Sequence, residues 1–261
     1  MGKIIWITGA SSGIGEALAL EFAVPGNELI LSSRNTDALN NVATKCEAKG
    51  SKAHVISIDL SSETSINEAF TQARNSVNRI DVLINNGGVS QRSLVSETPL
   101  DVDRKIFEIN FFGAVFLSKK VLPWMIETGG GTIAAMSSMV GRFGFPLRSA
   151  YSASKHALHG FFESLYLENH DKGIKTLLIC PGRIRTNISV NAVTAEGKAH
   201  AQMDAGQTGG ISPEKCAKKI AKALRKGKRE VWVGGKEILM MYFRKYLPGL
   251  FFRIAKKIDP K

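Results

Sequence analysis

Tyr151 and Lys155 stand four residues apart in the run Ser149-Ala-Tyr-Ser-Ala-Ser-Lys-His-Ala-Leu158. In a helix that spacing stacks the phenol and the ammonium on one face. A cation beside a phenol favours the phenolate. Moving a tyrosine from its reference pKa of about 10 toward ~7 takes roughly 4 kcal/mol of differential stabilisation, after which it exchanges protons near neutral pH. The same residues contain Ser152-x-x-Lys155, the S-x-x-K pattern of serine acyl-transfer enzymes, in which a lysine assists a serine nucleophile. The companion patterns S-D-N and K-T-G do not occur in the chain, which sets this rival aside.

A proton donor needs a rigid frame, and the chain is long enough to build one. Its 261 residues, 44% hydrophobic and 22% charged, suit a sizeable α/β domain. Strand patterns fall at 3–8, 28–33, 53–58, 80–84, 132–137, 174–180 and 228–233. Helical stretches follow them: from the glycine-rich turn to Val24, then over 35–49, 63–78 and 100–127, the segment bearing Tyr151, and one opened by Ser212-Pro-Glu214 with an N-cap serine and a first-turn proline. Strict β-α alternation implies a parallel sheet with helices on both faces. Residues 187–210 are polar and small, and read as a mobile loop. The expected layout is one dinucleotide-binding and catalytic domain over 1–235 and a basic, apolar tail over 236–261.

Cys46, Cys180 and Cys216 are far apart, odd in number and without C-x-x-C spacing, which argues for a reducing compartment and against both a disulfide framework and a metal site. No signal-peptide pattern or run of 18 apolar residues is seen, and Trp6 occupies the position where a myristoylation signal needs Ser or Thr. A cytoplasmic protein, with membrane association left open, is the expectation. The net charge of +12 calls for anionic partners. Signatures of nucleic-acid binding are missing, so no nucleic acid is expected.

The first strand runs into Gly9-Ala-Ser-Ser-Gly13-Ile-Gly15 and then into a helix. Strand, glycine turn and helix is the context in which a backbone approaches a pyrophosphate and a helix N-terminus stabilises its charge. Cofactor choice is read where the second strand ends. Ser32-Ser33-Arg34 offers no carboxylate for a ribose 2′-hydroxyl, while Arg34 and Ser33 suit a 2′-phosphate, so NADP(H) is expected over NAD. Asp59 reads equally as an acceptor for the adenine amine or as a helix cap.

Together with Asp59-Leu60, Asn85-Asn-Gly-Gly88, Asn110, Ser138 and Pro181-Gly182, these pieces resemble the short-chain dehydrogenase/reductase family over Lys3 to about Val233. The resemblance implies a doubly wound Rossmann-type fold with a seven-stranded parallel sheet, and hydride transfer between NADP(H) and a carbonyl or alcohol. It implies that Tyr151 is the acid/base, that Lys155 lowers its pKa and holds the nicotinamide ribose, and that Ser138 orients the carbonyl. Asn110 would hold a proton-relay water, and Thr186 would meet the carboxamide. Cofactor contacts are implied for Gly9, Ser11, Ser12, Gly13, Ile14, Gly15, Ser33, Arg34, Asp59, Leu60, Asn86, Gly87, Gly88, Tyr151, Lys155, Pro181, Gly182, Ile184 and Thr186. Strand alternation alone does not choose between Ser137 and Ser138; the family's spacing to the tyrosine picks Ser138. Gly87 stands where the family usually has alanine, removing a methyl from the cofactor's wall. A homodimer or homotetramer is a further implication, as is similarity to membrane-associated members near the 11-beta-hydroxysteroid dehydrogenases and acyl/alkyl-dihydroxyacetone-phosphate reductases. A protein that binds NADP without catalysis is the alternative.

Substrate contacts are expected from 89–93, 139–145 and 187–210, with Met139, Phe143 and Phe145 suggesting an apolar or lipid-like ligand and Arg92, Arg142 and Arg183 an anionic head. The tail combines large apolar residues with cations, which suits either an anionic membrane surface or packing on the fold or on a partner subunit. Tyr151→Phe should abolish carbonyl turnover while leaving NADP binding intact; steady-state rates and cofactor titration on the same preparation check this, and retained turnover overturns the assignment of Tyr151.

Overall fold

A computed structural model describes residues 2–258; Met1 and residues 259–261, the outer ends of the domain and tail drawn above, lie outside the described residues. The seven strands are β1 (Ile4–Thr8), β2 (Glu28–Ser33), β3 (Lys52–Ser57), β4 (Val82–Asn85), β5 (Gly131–Met136), β6 (Ile174–Pro181) and β7 (Glu230–Val233). They form one sheet in the order β3-β2-β1-β4-β5-β6-β7, with every neighbouring pair parallel. The chain reverses its direction of travel across the sheet between β1 and β4, so their carboxyl ends diverge and leave a crevice.

Nearly continuous apolar strands are what a sheet covered on both faces requires. On one face α1 (Gly13–Phe22), α2 (Thr36–Glu47) and, later in the chain, the Pro213–Arg225 helix enclose Ile5, Ile7, Leu29, Leu31 and Ile179. On the other, α3 (Glu63–Ser76), α5 (Gly113–Glu127) and α6 (Ser149–Asn169) cover a cluster containing Trp6, Ile30, Leu83, Ile133 and Phe162, while α4 (Leu100–Phe107) packs through Val102 and Ile106 in a separate cluster with Ala150. Trp6 is fully buried and its indole donates to Ser32 Oγ at 2.9 Å, so the large ring carries no orphaned donor into the core.

The helix expected over 100–127 forms, with one interruption. Glu108–Phe112 is a π-helical turn between α4 and α5, and it carries Asn110. The Leu100–Glu127 run is long and apolar enough to cross a membrane by length and composition, at a mean hydropathy of 1.2. Leu117, Val121 and Met125 nevertheless sit in the sheet-facing core, as expected of a core helix. The stretch 187–210, read as a mobile loop, is instead tied down. Val193 exchanges backbone bonds with Ser90 and Arg92, Ser189 and Ala192 are fully buried, and the one-turn helix α7 (Ala205–Thr208) closes the segment. Then α8 (Pro213–Arg225) starts as its sequence promised, with Ser212 Oγ accepting from Lys215 N. The tail forms α9 (Leu239–Tyr246) and α10 (Pro248–Ala255).

Behind β5 and β6, Ser137 Oγ lies 2.8 Å from His159 Nε2 and donates to Lys155 O at 3.1 Å. Cys180 and Glu230 complete this buried knot, with Glu230 held by Arg142 at 3.0 Å and by the Trp232 indole at 2.8 Å. Burial first, and then the Arg142 charge, lower the His159 pKa to about 4, against 6.5 for an exposed imidazole. Between those two values the unfolded chain binds a proton that the folded chain refuses, so stability falls as pH drops through the window. Thermal or urea unfolding should show the wild type losing roughly 2 kcal/mol more than His159→Gln between pH 7 and pH 5; parallel pH profiles would show that His159 is not the group responsible.

Candidate active site

The crevice begins at the glycine turn. Gly9 and Gly13 have φ of +64° and +59°, which favour glycine. A Cβ at Gly9 would come within 2.8 Å of Gly87 Cα, and one at Gly15 within 2.1 Å of Gly9 O. Side chains at these positions would fill the cradle or push α1 off the strand. At the N-cap of α1, Ser12 is extended and makes no side-chain cap, so the first-turn N–H groups face the crevice without one. An uncapped helix start at a switch point suits a pyrophosphate. Gly9-Ala-Ser11-Ser-Gly13 also spells the G-x-S-x-G nucleophile motif, but no histidine is among the residues lining this cleft.

The cleft runs from Ser33, Arg34 and Asp59 past Gly9, Ser11, Ser12, Gly13, Ile14, Leu60 and Asn86–Gly88 to Thr186. Asp59 is not the cap of α3, a role taken by Ser62. Its Oδ1 accepts from Ser61 N and Oγ at 2.9 and 2.7 Å. Partial burial pushes its carboxyl up, but those bonds and the Arg34 charge outweigh it and hold the pKa below the usual value. The Gly87 substitution has a local counterpart: a Cβ there would lie 2.5 Å from Leu60 Cδ1. Leu60 occupies the space an alanine methyl would take, so the wall is refilled, not thinned.

A second cavity adjoins the first through Ile14, Asn86, Gly88, Met136, Thr186 and Ile188, and it holds Ser138, Tyr151 and Lys155 together with Pro181, Gly182 and Ile184. Tyr151 and Lys155 lie on one face of α6 as their spacing requires, 8% and 4% exposed. The choice left open by strand alternation is resolved by contacts. Both serines border the cavity, but the Ser137 hydroxyl is taken up by Lys155 O and His159, while Ser138 hydrogen-bonds the Tyr151 phenol. Asn110 Oδ1 accepts from Val89 N at 2.8 Å, and its Nδ2 donates to Val89 O at 2.9 Å and to Ser154 Oγ at 3.2 Å. A Cβ on Gly88 would meet Asn110 Oδ1 at 2.8 Å and Lys155 Nζ at 3.3 Å, so glycine lets these three elements converge. Ser154 is more than a neighbour of the pair, since its Oγ also donates to Tyr151 O at 2.9 Å. Ser152, the nucleophile of the rival reading, is buried outside the cavity lining.

Burial raises the Tyr151 pKa, opposed by the Ser138 hydrogen bond and then by the charges of Arg148 and Arg92. Lys155 Nζ donates to Met136 O at 2.8 Å and lies 5.8 Å from the phenol ring, with burial lowering its pKa to about 8. The charges that favour the phenolate in this arrangement are those of Arg148 and Arg92, whereas Lys155, the cation anticipated from spacing, directs its Nζ to Met136 O. Arg148, Asp204 and Gln91 were not singled out from sequence. Gln91 Oε1 accepts from Tyr151 N at 3.2 Å and Nε2 reaches Ser149 Oγ, pinning the start of α6. Nothing local to a lone glutamine or aspartate in a loop announces such partners.

Met139, Phe143 and Phe145 line the cavity as expected, joined by Met240 and Ile258 from the tail, whose contribution was not foreseen. Glu237 ties that tail to the site, its Oε1 accepting from Arg183 N at 2.9 Å and Gly235 N at 3.0 Å. Arg183 lines the cavity as an exposed residue, whereas Arg142 does not belong to it and pairs instead with Glu230 and Glu163.

The short chain dehydrogenase family model matches residues 3–197. Among similar proteins, Dehydrogenase/reductase SDR family protein 7-like of Drosophila melanogaster is 39% identical over 261 residues, covering 98% of this chain and 80% of its own length. Dehydrogenase/reductase SDR family member 7B of Mus musculus is 40% identical over 256 residues, covering 96% and 79%. Of solved structures, a short-chain dehydrogenase from Streptomyces avermitilis superposes with TM-score 0.80 at 29% identity, over 98% of this chain and 96% of that one. A Burkholderia phymatum short chain dehydrogenase/reductase in complex with NAD gives 0.84 at 22% identity over 100% and 98%, a likeness of fold alone.

Proposed function

The chain belongs to the short-chain dehydrogenase/reductase family, oxidoreductases that use a nicotinamide cofactor on a carbonyl or alcohol, and from that membership we propose an NADP(H)-dependent enzyme acting on an apolar, lipid-like carbonyl or its alcohol. The observation that carries this reading is that Ser138 and Tyr151 hydroxyls share one cavity with Lys155, next to a cleft floored by the glycine turn. A nicotinamide bound there supplies or accepts the hydride. Tyr151 gives its phenolic proton to the oxygen in reduction and takes it back in oxidation, while Ser138 donates a hydrogen bond that fixes that oxygen. Lys155, Gly88 and Asn110 set the edge against which the ribose would lie.

For NADP(H) the supporting feature is the carboxylate-free end of β2, with Arg34 exposed at the lip of the cleft beside Ser33. The apolar walls from Phe143, Phe145 and Met240 favour a lipid-like substrate. The tail supports peripheral contact with a membrane at its cytoplasmic face. Met241, Phe251 and Ala255 pack inward, Phe251 lying 5.0 Å from the Phe143 ring, but Leu239, Tyr246, Leu247 and Phe252 remain 52–64% exposed. Residues 238–258 contain no acid, and Arg244, Lys245, Arg253, Lys256 and Lys257 accompany the apolar face. An apolar surface flanked only by cations suits an anionic interface. A homodimer formed through α4, α5 and α6 is supported by Phe112, in the π-helical turn between α4 and α5, and by Leu167 on α6, which are 49% and 69% exposed.

Cofactor titration should show NADPH binding at least tenfold more tightly than NADH, with Arg34→Gln closing most of the gap, as loss of a charge-assisted phosphate contact predicts; tighter NADH binding would overturn the cofactor assignment. In flotation with anionic liposomes, the intact chain should rise with the vesicles and a chain ending at residue 235 should stay behind, provided circular dichroism and NADPH binding show that the shortened chain is folded. Equal behaviour of the two folded proteins removes the membrane contact.

A further inference from the structure

The helix that carries Tyr151 begins without a cap of its own. α6 opens at Ser149, and Ser152 N donates to Arg148 O at 2.8 Å to close the first turn. The N–H groups of Ser149, Ala150 and Tyr151 precede that bond and have no acceptor within the helix. A Ser, Thr, Asp or Asn side chain at the N-cap usually meets one of them. Arg148 stands at that position, and a guanidinium has only donors to offer, so the helix has no side-chain cap from its own N-cap residue. The acceptor comes from a segment 60 residues earlier, where Gln91 Oε1 accepts from Tyr151 N at 3.2 Å.

The rest of this side chain is equally committed. Gln91 is fully buried, and its Nε2 faces three hydroxyl oxygens, Ser93 Oγ at 3.1 Å, Ser149 Oγ at 3.2 Å and Thr98 Oγ1 at 3.3 Å. Reversing the amide would set its NH2 group against the Tyr151 N–H, donor against donor, so the partners fix its orientation. Gln91 lines neither cavity, although Ser90 and Arg92 on either side of it line the one that holds Tyr151. Its backbone serves a second segment. Gln91 bridges to Val193, Arg92 N donates to Val193 O at 2.8 Å, and Val193 N donates to Ser90 O at 2.9 Å. Around Val193, residues Ile188, Asp204, Gly206 and Gln207 line the cavity. The side chain at 91 therefore holds the start of the reacting helix, while its backbone holds the segment that encloses the ligand.

We propose that Gln91 is a positioning residue for the proton transfer, its amide setting the first turn of α6 so that Tyr151 meets a carbonyl seated against the 187–210 segment. The proposal rests on the reading of Tyr151 as the proton donor. Lys155 lies one turn further along α6 and has its own anchor, Nζ donating to Met136 O at 2.8 Å. The edge that would meet the cofactor therefore stands when Gln91 is changed, and the effect falls on the phenol.

The test follows NADPH oxidation by the full chain with decanal, an oxosteroid and phenanthrenequinone as probes, each rate divided by the NADPH-binding sites counted by titration. Gln91→Met keeps the length of the side chain and removes both polar ends. Its kcat should fall roughly 10- to 100-fold, the order that a misplacement of about 1 Å costs, while KM for the probe and the NADPH Kd stay within about twofold. Gln91→Glu keeps an oxygen facing Tyr151 N and can accept from the three hydroxyls, so it should hold kcat within about fivefold of the wild type. Ser93→Ala removes one partner of Nε2 but leaves the bond to Tyr151, and should lower the melting temperature more than kcat. If Gln91→Met yields no NADPH-binding protein, Gln91→Asn, one carbon too short to span the same partners, takes its place with the same expected fall. A role in packing alone would lower stability and leave kcat per site unchanged, and that result overturns the proposal. A fall in Gln91→Glu as deep as in Gln91→Met also overturns it, because the retained acceptor then counts for nothing. Wild-type protein that reduces none of the probes overturns the reductase reading and this proposal together, whereas wild-type turnover matched by Gln91→Met overturns the proposal alone.

Discussion

The site depends on how the chain closes the gap where β1 and β4 part company. Two parallel strands that end side by side and then turn away from each other leave peptide groups with no ladder partner. Thr8 and Asn86 supply them. Thr8 Oγ1 accepts from the N–H groups of Asn86 and Gly87, each at 3.0 Å, and Asn86 Nδ2 donates to Thr8 O and Gly9 O at 3.0 and 3.1 Å. Thr8 is fully buried, so these bonds form in a low-dielectric setting where an unmade bond is expensive. Side chains thus continue the pairing of β1 and β4 past the strand ends, and the glycine turn on one side is thereby held in register with the Gly87-Gly88 turn on the other.

From that lock the frame extends to the chemistry through a short series of buried polar contacts. Gly88 leads to Val89, whose two backbone groups are both taken by Asn110 in the π-helical turn, and Asn110 reaches Ser154 on α6. The extra residue of a π turn rotates one side chain out of helical phase, here the one that bridges the loop and α6. From the other end, Gln91 pins the first turn of α6. The Tyr151 hydroxyl is thus carried by a helix anchored at two points, the rigidity that the proposed proton transfer over hydrogen-bond distances demands. Burial and charge pull its acidity in opposite directions. Desolvation favours the neutral phenol, while Ser138 and the cations Arg148 and Arg92 favour the phenolate. A group held between those pressures is suited to passing a proton either way.

Much of this was legible along the chain because the features concerned are local. The glycine spacing, the i,i+4 pair of Tyr151 and Lys155, the Ser212-Pro213 helix start and the apolar strands each announce themselves within a few residues. Contacts between distant segments did not. Arg142 and Arg92 look alike in sequence, yet one is held by Glu163 and Glu230 and the other enters the cavity against Asp204, a partner 112 residues away. Gly87 reads as a lost methyl until Leu60 is seen filling its place. The tail reads as a choice between membrane and fold; its inner face packs on Phe143 while its outer face stays exposed, and Met240 and Ile258 join the cavity wall.

The sequence by itself determined the succession of strands and helices, the family and the motif residues proposed to react, because periodicity and short motifs encode conformations that the backbone adopts within one or two turns. Only the tertiary structure decided that the Ser137 hydroxyl is taken up by His159 and Lys155 O, which arginines surround Tyr151 and which charges act on its hydroxyl. Those outcomes depend on burial and on charges brought together across the fold, and desolvation has no value until the surrounding segments are in place. Tyr151 and Lys155 are four residues apart in any helix; beside Arg148, Arg92 and Ser138 they become part of a polarised, enclosed site.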